Sequence, residues 1–547
     1  MQQHAARTPG TSLSLRLRAW WLVRPQERLL IAAVSVTTRA ARLHIRPFLA
    51  AARYGGRAAL AVSSPGAVRS VARAYVDVPA YRAFLDGAGG LPRRRIGQRA
   101  GDWLAQLPTT SKHTYVDGYS IAQRCHDGVL PSHGVEVDES SGSSGRPYQW
   151  VRSARELEGV HKTLALMARY LLWRPDRERG IVTLNAFSMG AWSTGVNVSM
   201  AMKRVGAVKS CGPDAEKILA ALEVFGTDVC YTICGYPPFL QQLVRAAAAA
   251  GHDLTKYELV GFVGGEGMGE GLRRDLERSF SAIWSAYGAS DLDIGVAAET
   301  PFSVWLRQAA DRDPKLAEAL FGHAGRLPMV FQYDPSCYYI ETMDGPNGVE
   351  LVATVLRDTL TPKLRYTVGD AGGVLDVHEA TRLALAHGAD PADPSTGVPT
   401  RYGRTLDLPL LYVHGRADST VSFMGANLYP EDIIAGLEDA AADSRLAGRT
   451  LGAFCLEMIG DEDVRPCVHV ELLDASMPDT DGGASVIAAL VECVRARLAL
   501  NSADYRAALL EDPRAAEIQL TLHAAGTGPF AGNAGRIKRR YVVASAS

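Results

Sequence analysis

Short apolar runs alternate with segments of helical periodicity between about residues 100 and 415. Apolar runs of strand length occupy residues 180–185, 228–233 and 258–263, and the glycine-rich segment 264–267 follows the last of them. After that segment, the apolar spacing predicts one helix whose buried face is formed by Leu272, Leu276, Phe280 and Ile283. The order strand, glycine turn, helix, strand predicts an α/β fold. In open α/β sheets ligands bind where such strands end, so these turns are the first candidates for a site.

The first 100 residues follow a different pattern. Arginine alternates with Leu, Ala and Val at helical spacing over residues 12–75. This pattern predicts packed amphipathic helices, with peripheral membrane contact as the alternative interpretation. The apolar run at residues 29–36 is too short to span a bilayer, and no small-residue cleavage pattern follows it. We therefore expect no transmembrane segment here.

The character of the chain changes again near residue 415. Residues 371–404 are rich in Ala, Asp, Pro and Gly, which predicts a loop or an insertion. The following segment has strand-like runs of its own, at residues 454–459 and 467–473, and a helical pattern beyond them. A chain of 547 residues is too long for one core. We predict three regions: a helical region at 1–100, an α/β core that binds ligands at 101–415, and a small α+β domain at 416–547.

Composition and charge narrow the class of protein. Hydrophobic residues make up 47% of the chain and charged residues 21%, as in ordinary globular proteins. The net charge of −1 argues against an overall electrostatic footprint for nucleic acid. The eight cysteines are scattered and form no Cys-x-x-Cys pair. Such cysteines are typical of small buried side chains in a reducing compartment, so we expect a cytoplasmic protein.

The densest cluster of serine and glycine is the segment ESSGSSGRP at residues 139–147. Glycines let the backbone approach an anion closely, and the N–H and hydroxyl groups can then donate to phosphate oxygens. No Gly-Lys-Ser/Thr follows, so this is not the P-loop of nucleoside triphosphatases. A polyphosphate-binding loop and a flexible connector both fit the composition. Its members are Ser140, Ser141, Gly142, Ser143, Ser144, Gly145 and Arg146.

Four further segments carry polar residues in a recognisable order. They are residues 264–266 (GGE), expected to open a helix, 287–291 (YGASD), 365–370 (RYTVGD) and 415–418 (GRAD). With the Ser/Gly loop, these segments resemble the adenylate-forming superfamily, in the branch of phenylacetate-CoA ligase and coenzyme F390 synthetase. The resemblance runs from about Pro108 to the end of the chain. It implies a large N-terminal domain of α/β subdomains and a small, mobile α+β C-terminal lid.

The resemblance implies that several of these residues bind ATP. The Ser/Gly loop would hold the phosphates, where donors are needed because pyrophosphate leaves with growing negative charge. Gly264, Gly265 and Glu266 match the segment near the adenine. Tyr287 and Gly288 match the residues that stack on the adenine and border it. An ordinary helix start and an ordinary turn are the structural alternatives for these two motifs.

Four more positions complete the implied site. Asp370 matches the acid that binds both ribose hydroxyls, because one carboxylate offers two acceptor oxygens. Arg416 would contact ribose or phosphate. Asp291 stands where the family has a glutamate that supports Mg²⁺, and its shorter side chain would need a bridging water. Asp418 matches the hinge about which the lid rotates.

The chain departs from the family at two basic positions. Arg146 closes the Ser/Gly loop where a lysine is common, and either cation can meet phosphate. The lid lysine that reaches the α-phosphate is not obvious in the segment GRIKRRY. Alignment on its glycine puts Arg536 at that position, whereas Lys538 lies two residues on and would face the same side of an extended segment. Both remain candidates, as does loss of the lid cation. An early family element, to which we assign no chemistry, is matched by Pro108, Thr110 and Lys112.

A further set of residues matches the acyl pocket of the family. It comprises Phe187, Trp192, Tyr236, Pro237 and Ala289. Aromatic side chains stack on planar groups, so an aryl acid is the expected substrate, although the same residues would also suit a core.

The implied reaction is an ATP-dependent ligation. A carboxylate attacks the α-phosphate of MgATP, pyrophosphate leaves, and CoA or another nucleophile captures the acyl-AMP. ATP, Mg²⁺ and CoA are therefore the expected cofactors and co-substrates, and small molecules rather than nucleic acid are the expected partners. Two alternatives stay open. The chain could be a diazotase-type member that activates nitrite for transfer to an aryl amine, or a nucleotide-binding protein that has lost catalysis.

Overall fold

A computed structural model describes most of the chain, and it is an α/β protein, as the sequence predicts. The described residues are 13–140, 148–172, 179–189, 193–323, 327–345, 348–399, 403, 405–416, 421–423, 426–428, 430–441, 443–446, 449–459, 465–473, 480–501, 505–506, 518–531 and 542–543. No helix within these ranges has the length and apolar character needed to cross a membrane.

The strands form one large sheet and three small ones in the described part of the chain. In chain order the strands are β1 (Val135–Ser140), β2 (Tyr148–Ser153), β3 (Ile181–Asn185), β4 (Ala207–Ser210), β5 (Cys230–Gly235), β6 (Glu258–Gly264), β7 (Ala282–Ala289), β8 (Asp293–Ala298), β9 (Met329–Tyr333), β10 (Tyr338–Gly345), β11 (Gly348–Val355), β12 (Tyr366–Leu375), β13 (Leu410–Arg416), β14 (Val421–Phe423), β15 (Ala426–Leu428), β16 (Leu451–Ile459), β17 (Arg465–Leu472), β18 (Gln519–Ala524) and β19 (Val542–Val543).

The large sheet has eleven described strands in the order β10-β11-β12-β13-β9-β8-β7-β6-β5-β3-β4. The five strands from β4 to β7 along this order run parallel, and every pairing from β7 to β10 is antiparallel. Parallel strands need crossover connections, and helices supply them here. The carboxyl ends of the parallel strands therefore share one edge of the sheet.

Helices cover the sheet and fill the N-terminal region. They are α1 (Leu13–Trp21), α2 (Pro25–Ala41), α3 (Ile45–Tyr54), α4 (Gly56–Asp77), α5 (Pro79–Gly87), α6 (Ala100–Leu104), α7 (Ile121–Arg124), α8 (Ala154–Leu171), α9 (Ser193–Met202), α10 (Ala215–Phe225), α11 (Pro237–Ala249), α12 (Glu270–Leu276), α13 (Pro301–Arg312), α14 (Pro314–Phe321), α15 (Val377–Ala386), α16 (Pro430–Ala440) and α17 (Thr480–Asn501). Residues 13–87 are almost entirely helical, in α1 to α5.

The apolar cores explain how these elements are held together. Buried residues of α1, α2, α4 and α5 belong to the same core as the large sheet. A separate core is formed by residues between Leu428 and Leu522, where α16 and α17 pack on the sheet of β16, β17 and β18. All eight cysteines are free thiols, and seven are buried, which agrees with the role expected for them.

Three local predictions differ from the structure. The apolar spacing predicts that the helix after residues 264–267 runs on to Ile283, but α12 spans only Glu270–Leu276, and Ile283 lies in β7. The glycine segment itself ends β6 and turns, since Gly265 has a φ of +84°, which a helix cannot contain. Residues 371–404 are not simply a loop, because β12 continues to Leu375 and α15 follows it.

Candidate active site

Four parallel strands bring predicted site residues to one edge of the sheet. Phe187 follows the end of β3, Tyr236 follows β5, Gly264 ends β6, and Tyr287 lies near the end of β7. Ligands of α/β sheets collect at such carboxyl ends. These residues are distant in sequence, and the parallel topology is what brings them together.

The turn after β6 packs directly on the aromatic pair. The rings of Phe187 and Tyr236 lie 5.0 Å apart between centroids in an edge-to-face arrangement. A Cβ at Gly265 would lie 2.7 Å from Cε1 of Tyr236. Both this contact and the positive φ require glycine at position 265. Burial, with Glu266 adding to it, raises the pKa of Tyr236 to about 12, so its hydroxyl stays neutral at physiological pH.

The structure describes only part of the predicted acyl pocket. Phe187 is buried and packs in a small core with Ala168, Met202 and Cys234, so its ring is also a packing residue. Pro237 occupies the first position of α11, where its missing N–H leaves no bond unmade. Trp192 lies outside the described residues.

Close backbone contact fixes the turn between β7 and β8. A Cβ at Gly288 would lie 2.2 Å from the carbonyl oxygen of Ile294, so the two backbones meet there without room for a side chain. Ala289 is the register partner of Asp293 at the end of this hairpin. Gly288 therefore has a structural reason to be glycine, whether or not a ligand lies beside it.

Asp370 and Tyr287 meet across the sheet edge. The Tyr287 hydroxyl donates to Oδ2 of Asp370 at 2.6 Å, and the aspartate side chain is almost fully buried. One residue of β11 lies opposite three of β12 at this point, which is a bulge that contains Asp370 itself and Gly369 with a φ of +80°. Bulges re-aim side chains and are common beside active sites. Asp370 is also the register partner of Arg416 on β13, so two predicted ribose-side positions are neighbours.

Asp291 already has two partners. Its Oδ2 lies 3.3 Å from Nζ of Lys112 and accepts a hydrogen bond from the Tyr366 hydroxyl at 3.1 Å. One carboxylate suits a magnesium ion that takes its other ligands from phosphate and water. The described residues contain no group of three or more His, Cys, Asp or Glu side chains that could hold a metal. A magnesium ion at Asp291 would share this carboxylate with Lys112.

Lys112, to which the sequence assigns no chemistry, is placed beside Asp291 by the pairing of a neighbouring segment. That segment pairs with the start of β12: the N–H of Thr110 donates to the Arg365 carbonyl at 2.9 Å, and its hydroxyl donates to the Leu364 carbonyl at 2.8 Å. The Lys112 ammonium also lies 5.4 Å from the ring centroid of Tyr148. No local pattern could reveal this contact, because the partners are far apart in sequence.

Tyr148 connects Lys112 and Asp291 to the Ser/Gly loop. Strands β1 and β2 are antiparallel, and Ser140 is the register partner of Tyr148 at the ends that face the loop. Residues 141–147 lie outside the described part of the chain, as do the Ser140 and Arg416 side chains. The lid positions Asp418, Arg536 and Lys538 are likewise outside the described residues, so these predictions stay predictions.

A buried ionic network supports the strand that carries Tyr287. The Arg273 guanidinium is inaccessible to solvent and donates to the Ile283 carbonyl at 2.7 Å, to Glu299 and to Glu270. Glu299 also accepts from the backbone N–H of Ser285 at 2.7 Å. Burial alone would lower the pKa of Arg273, but Glu299 and Glu270 outweigh it and raise that pKa. The network joins α12 to β7.

A second buried cation is Lys363, which lies next to Thr361 and Trp150. Its Nζ is 3.1 Å from the Thr361 hydroxyl and 4.7 Å from the ring centroid of Trp150. Burial, with Arg152 adding to it and Glu156 opposing it, lowers the pKa of Lys363 to about 7. The ammonium is therefore held in an environment that favours its neutral form near neutral pH.

We expect Lys363→Met to stabilise the protein below pH 7, with the gain disappearing as the pH approaches 10. A lysine whose pKa is lower in the folded state than in the unfolded state reduces the free energy of unfolding most at pH values where it must be protonated. The unfolded chain binds the proton more strongly between the two pKa values, so stability rises by about 1.4 kcal/mol per pH unit in that window. Melting temperatures of both proteins at a series of pH values test this. Lys315→Met, at an exposed site, is the control, and an equal difference at every pH would contradict the expectation.

Comparison with known proteins bears on the fold. No protein-family model matches the sequence, and no curated protein matches it. Among solved structures, the chain is similar to 2-hydroxyisobutyryl-CoA ligase in its postadenylation state with R3-HIB-AMP, with 15% identity over 90% of each chain and a TM-score of 0.60. It is also similar to the AtGH3.15 acyl acid amido synthetase in complex with 2,4-DB, with 11% identity over 92% of this chain and 94% of that one and a TM-score of 0.56. The chain therefore shares its fold with these two enzymes over about nine tenths of its length.

Proposed function

We propose that this chain is an ATP-dependent ligase that converts a carboxylate into an acyl-AMP with release of pyrophosphate. The observation that carries the proposal is the contact between the buried Asp370 carboxylate and Tyr287 at the carboxyl edge of the parallel strands. A two-oxygen acceptor beside an aromatic ring suits a ribose and its attached base. The fold shared with a CoA ligase and an amido synthetase supports the same reaction class.

The proposed chemistry needs positioned charge rather than a protein nucleophile. The substrate carboxylate attacks the α-phosphorus, the bond to the bridging oxygen breaks, and pyrophosphate carries away the negative charge. Lys112 lies beside the strand that leads from the Ser/Gly loop, which supports a role for its ammonium near the phosphates. Asp291 would hold Mg²⁺, and the ion would supply positive charge against the negative charge that develops on the phosphates.

The substrate and acceptor are finer parts of the proposal. The edge-to-face pair of Phe187 and Tyr236 supports a planar, aryl acid, as members resembling phenylacetate-CoA ligase would bind. The two similar structures are a CoA ligase and an amido synthetase, so a thiol and an amine are both chemically reasonable acceptors.

Release of AMP and pyrophosphate from MgATP tests the proposal. One assay contains a panel of aryl and aliphatic acids with CoA or an amine, and a parallel assay contains nitrite with an aryl amine. We expect AMP with an acid, and the best acid then names the substrate class. AMP with nitrite alone would replace the proposal by the diazotase reaction. Tight ATP binding with no turnover in either assay would leave a nucleotide-binding protein.

We expect Lys112→Met to raise the KM for MgATP by about tenfold to a hundredfold, because a hydrogen bond from a charged donor contributes about 1.5–3 kcal/mol. Initial rates across ATP concentrations measure the change. Lys112→Arg keeps the charge and should restore most of the affinity, whereas Lys256→Met at an exposed site should have no effect. An unchanged KM in Lys112→Met would show that the lysine only pairs with Asp291.

A further inference from the structure

The outward faces of the first two helices are apolar. On α1 the exposed residues Leu13, Leu17, Trp20 and Trp21 recur at helical spacing on one side, and Trp21 is 68% exposed. On α2 and just after it, Leu29, Val36 and Leu43 repeat every seven residues, with 74%, 66% and 82% of their surfaces exposed. Large exposed apolar patches mark interaction sites. We call these seven residues the N-terminal apolar face.

The inward sides of the same helices account for their attachment. Ala19, Leu22 and Val23 are buried in the main core, as is Ile31 of α2. The helices therefore already have a packed side, and the apolar face is additional to it. An amphipathic helix that only covered a core would carry polar residues at these outward positions.

One cation–π contact joins the two helices into a single surface. The Arg28 guanidinium carbon lies 3.6 Å from the ring centroid of Trp20, and Trp21 packs edge-to-face on Trp20 at 5.1 Å. The two tryptophans thus lie next to the apolar stripe of α2. Their indole rings combine a large apolar surface with one N–H donor, a combination that suits the boundary between water and lipid.

The N-terminal segment that carries this face is strongly basic. Residues 1–76 contain twelve arginines, no lysine and a single acid, Glu27, so the segment has a formal charge of +11 in a chain whose net charge is −1. Arg39, Arg46 and Arg57 are exposed, and Arg39 lies one helical turn after Val36. Exposed apolar residues on strongly basic helices are the pattern of a segment that lies in the plane of an anionic membrane surface.

We propose that the N-terminal apolar face docks this protein on an anionic lipid bilayer. The leucine, valine and tryptophan side chains would enter the headgroup boundary while the arginines meet lipid phosphates and carboxylates. Symmetric pairing of two copies through this face is unfavourable, because two segments with a formal charge of +11 would repel each other. A polynucleotide would match the charge but would leave the aliphatic side chains in water.

The N-terminal helices are bonded to the rest of the molecule, so docking through them would hold the whole protein at the membrane. Arg94 donates to both carboxylate oxygens of Glu27 at 2.7 Å, and Arg42 of the α2–α3 turn pairs with Asp334 at 2.8 Å. Arg18 of α1 donates to the Leu91 carbonyl at 2.9 Å. The surface is therefore held on the main body, and a bound membrane would retain the catalytic domain with it. A ligase held there would meet acids that partition into the bilayer.

Co-sedimentation of the full chain with unilamellar vesicles tests the proposal. Vesicles of phosphatidylcholine with about 30 mol% phosphatidylserine should retain the protein, and raising the salt concentration should release it because the electrostatic part is screened. Vesicles of phosphatidylcholine alone should retain at least about tenfold less. A triple variant, Trp21→Ser/Leu29→Ser/Leu43→Ser, and a second one, Arg39→Glu/Arg46→Glu/Arg57→Glu, should each lower binding to the anionic vesicles by at least about tenfold.

A matched control separates the face from general hydrophobicity. Val129→Ser/Val224→Ser/Leu385→Ser removes three exposed apolar residues elsewhere and should leave binding unchanged. All variants should keep the wild-type melting temperature, since every altered side chain is exposed. The proposal is overturned if wild type ignores anionic vesicles, if the control variant binds as weakly as the two test variants, or if protein binds polyuridylate in place of vesicles. Self-association that the apolar triple variant abolishes, without vesicle binding, would also overturn it.

Discussion

The Asp370→Ala variant should lose about 10²- to 10⁴-fold in kcat/KM for ATP-dependent AMP formation. Each hydrogen bond from a ribose hydroxyl to a charged acceptor contributes about 1.5–3 kcal/mol, and the alanine removes the acceptor for both. The Tyr287 hydroxyl, which now donates to the carboxylate at 2.6 Å, also loses its partner. Steady-state AMP release at saturating acid measures the loss, and ATP affinity from calorimetry should fall with it.

Two further variants test whether the loss in kcat/KM is caused by removal of the Asp370 carboxylate. Tyr287→Phe keeps Asp370 and an aromatic ring and removes only the 2.6 Å hydrogen bond, so its loss should stay below about tenfold. Asp344→Ala, at an exposed site of the same sheet, should leave kcat/KM unchanged. If Asp370→Ala retains wild-type ATP affinity and rate while its melting temperature is unchanged, the ribose assignment is wrong.

The Arg273→Met variant should lower the free energy of local unfolding around β7 by about 3–5 kcal/mol. Removing one partner of a buried ionic network leaves the others charged and without compensation, and this is the costly way to break such a network. The arginine that is lost bonds two carboxylates and one backbone carbonyl, and it has no access to solvent. Amide hydrogen exchange of the peptides that cover β6 and β7 measures the change.

Hydrogen exchange is the suitable measurement because the chain has at least two apolar cores, and one global unfolding energy would not describe it. Arg278→Met is the matched control, since Arg278 is exposed and pairs with Asp275 across one turn. Such surface pairs contribute at most about 1 kcal/mol. Protection of β7 that is equal in the Arg273 and Arg278 variants would contradict a supporting role for the network. Since β7 carries Tyr287, a loosened strand should also raise the KM for ATP.

Some elements could be predicted because their causes are local. The strands at 180–185, 228–233 and 258–263 appear within one or two residues of the predicted positions, since apolar β-rich runs between glycines favour buried strands. The same pattern shows that Gly264 and Tyr287 stand near strand ends. The resemblance to adenylate-forming enzymes predicted the fold correctly, because five motifs in one order constrain it strongly.

The wrong helix prediction has an equally physical cause. Leu272, Leu276, Phe280 and Ile283 follow helical spacing, but the chain leaves the helix after Leu276 and forms β7. Ile283 is instead buried in β7, where it is the register partner of Gly261 on β6. A short apolar run satisfies either period, and only pairing with β6 decides between them.

The α/β class, the strand ends and the residue types at those ends can be predicted from the order of amino acids, because they depend on neighbours within a few positions. Which polar side chains meet depends on long-range contacts of the folded chain. Asp370 reaches Tyr287 across 83 positions, and Asp291 reaches Tyr366 across 75. Lys112 meets Asp291 only because Thr110 pairs with the chain near Leu364, 254 residues away. Contacts at such separations arise from the order in which strands enter the sheet, and no periodicity in the sequence encodes that order.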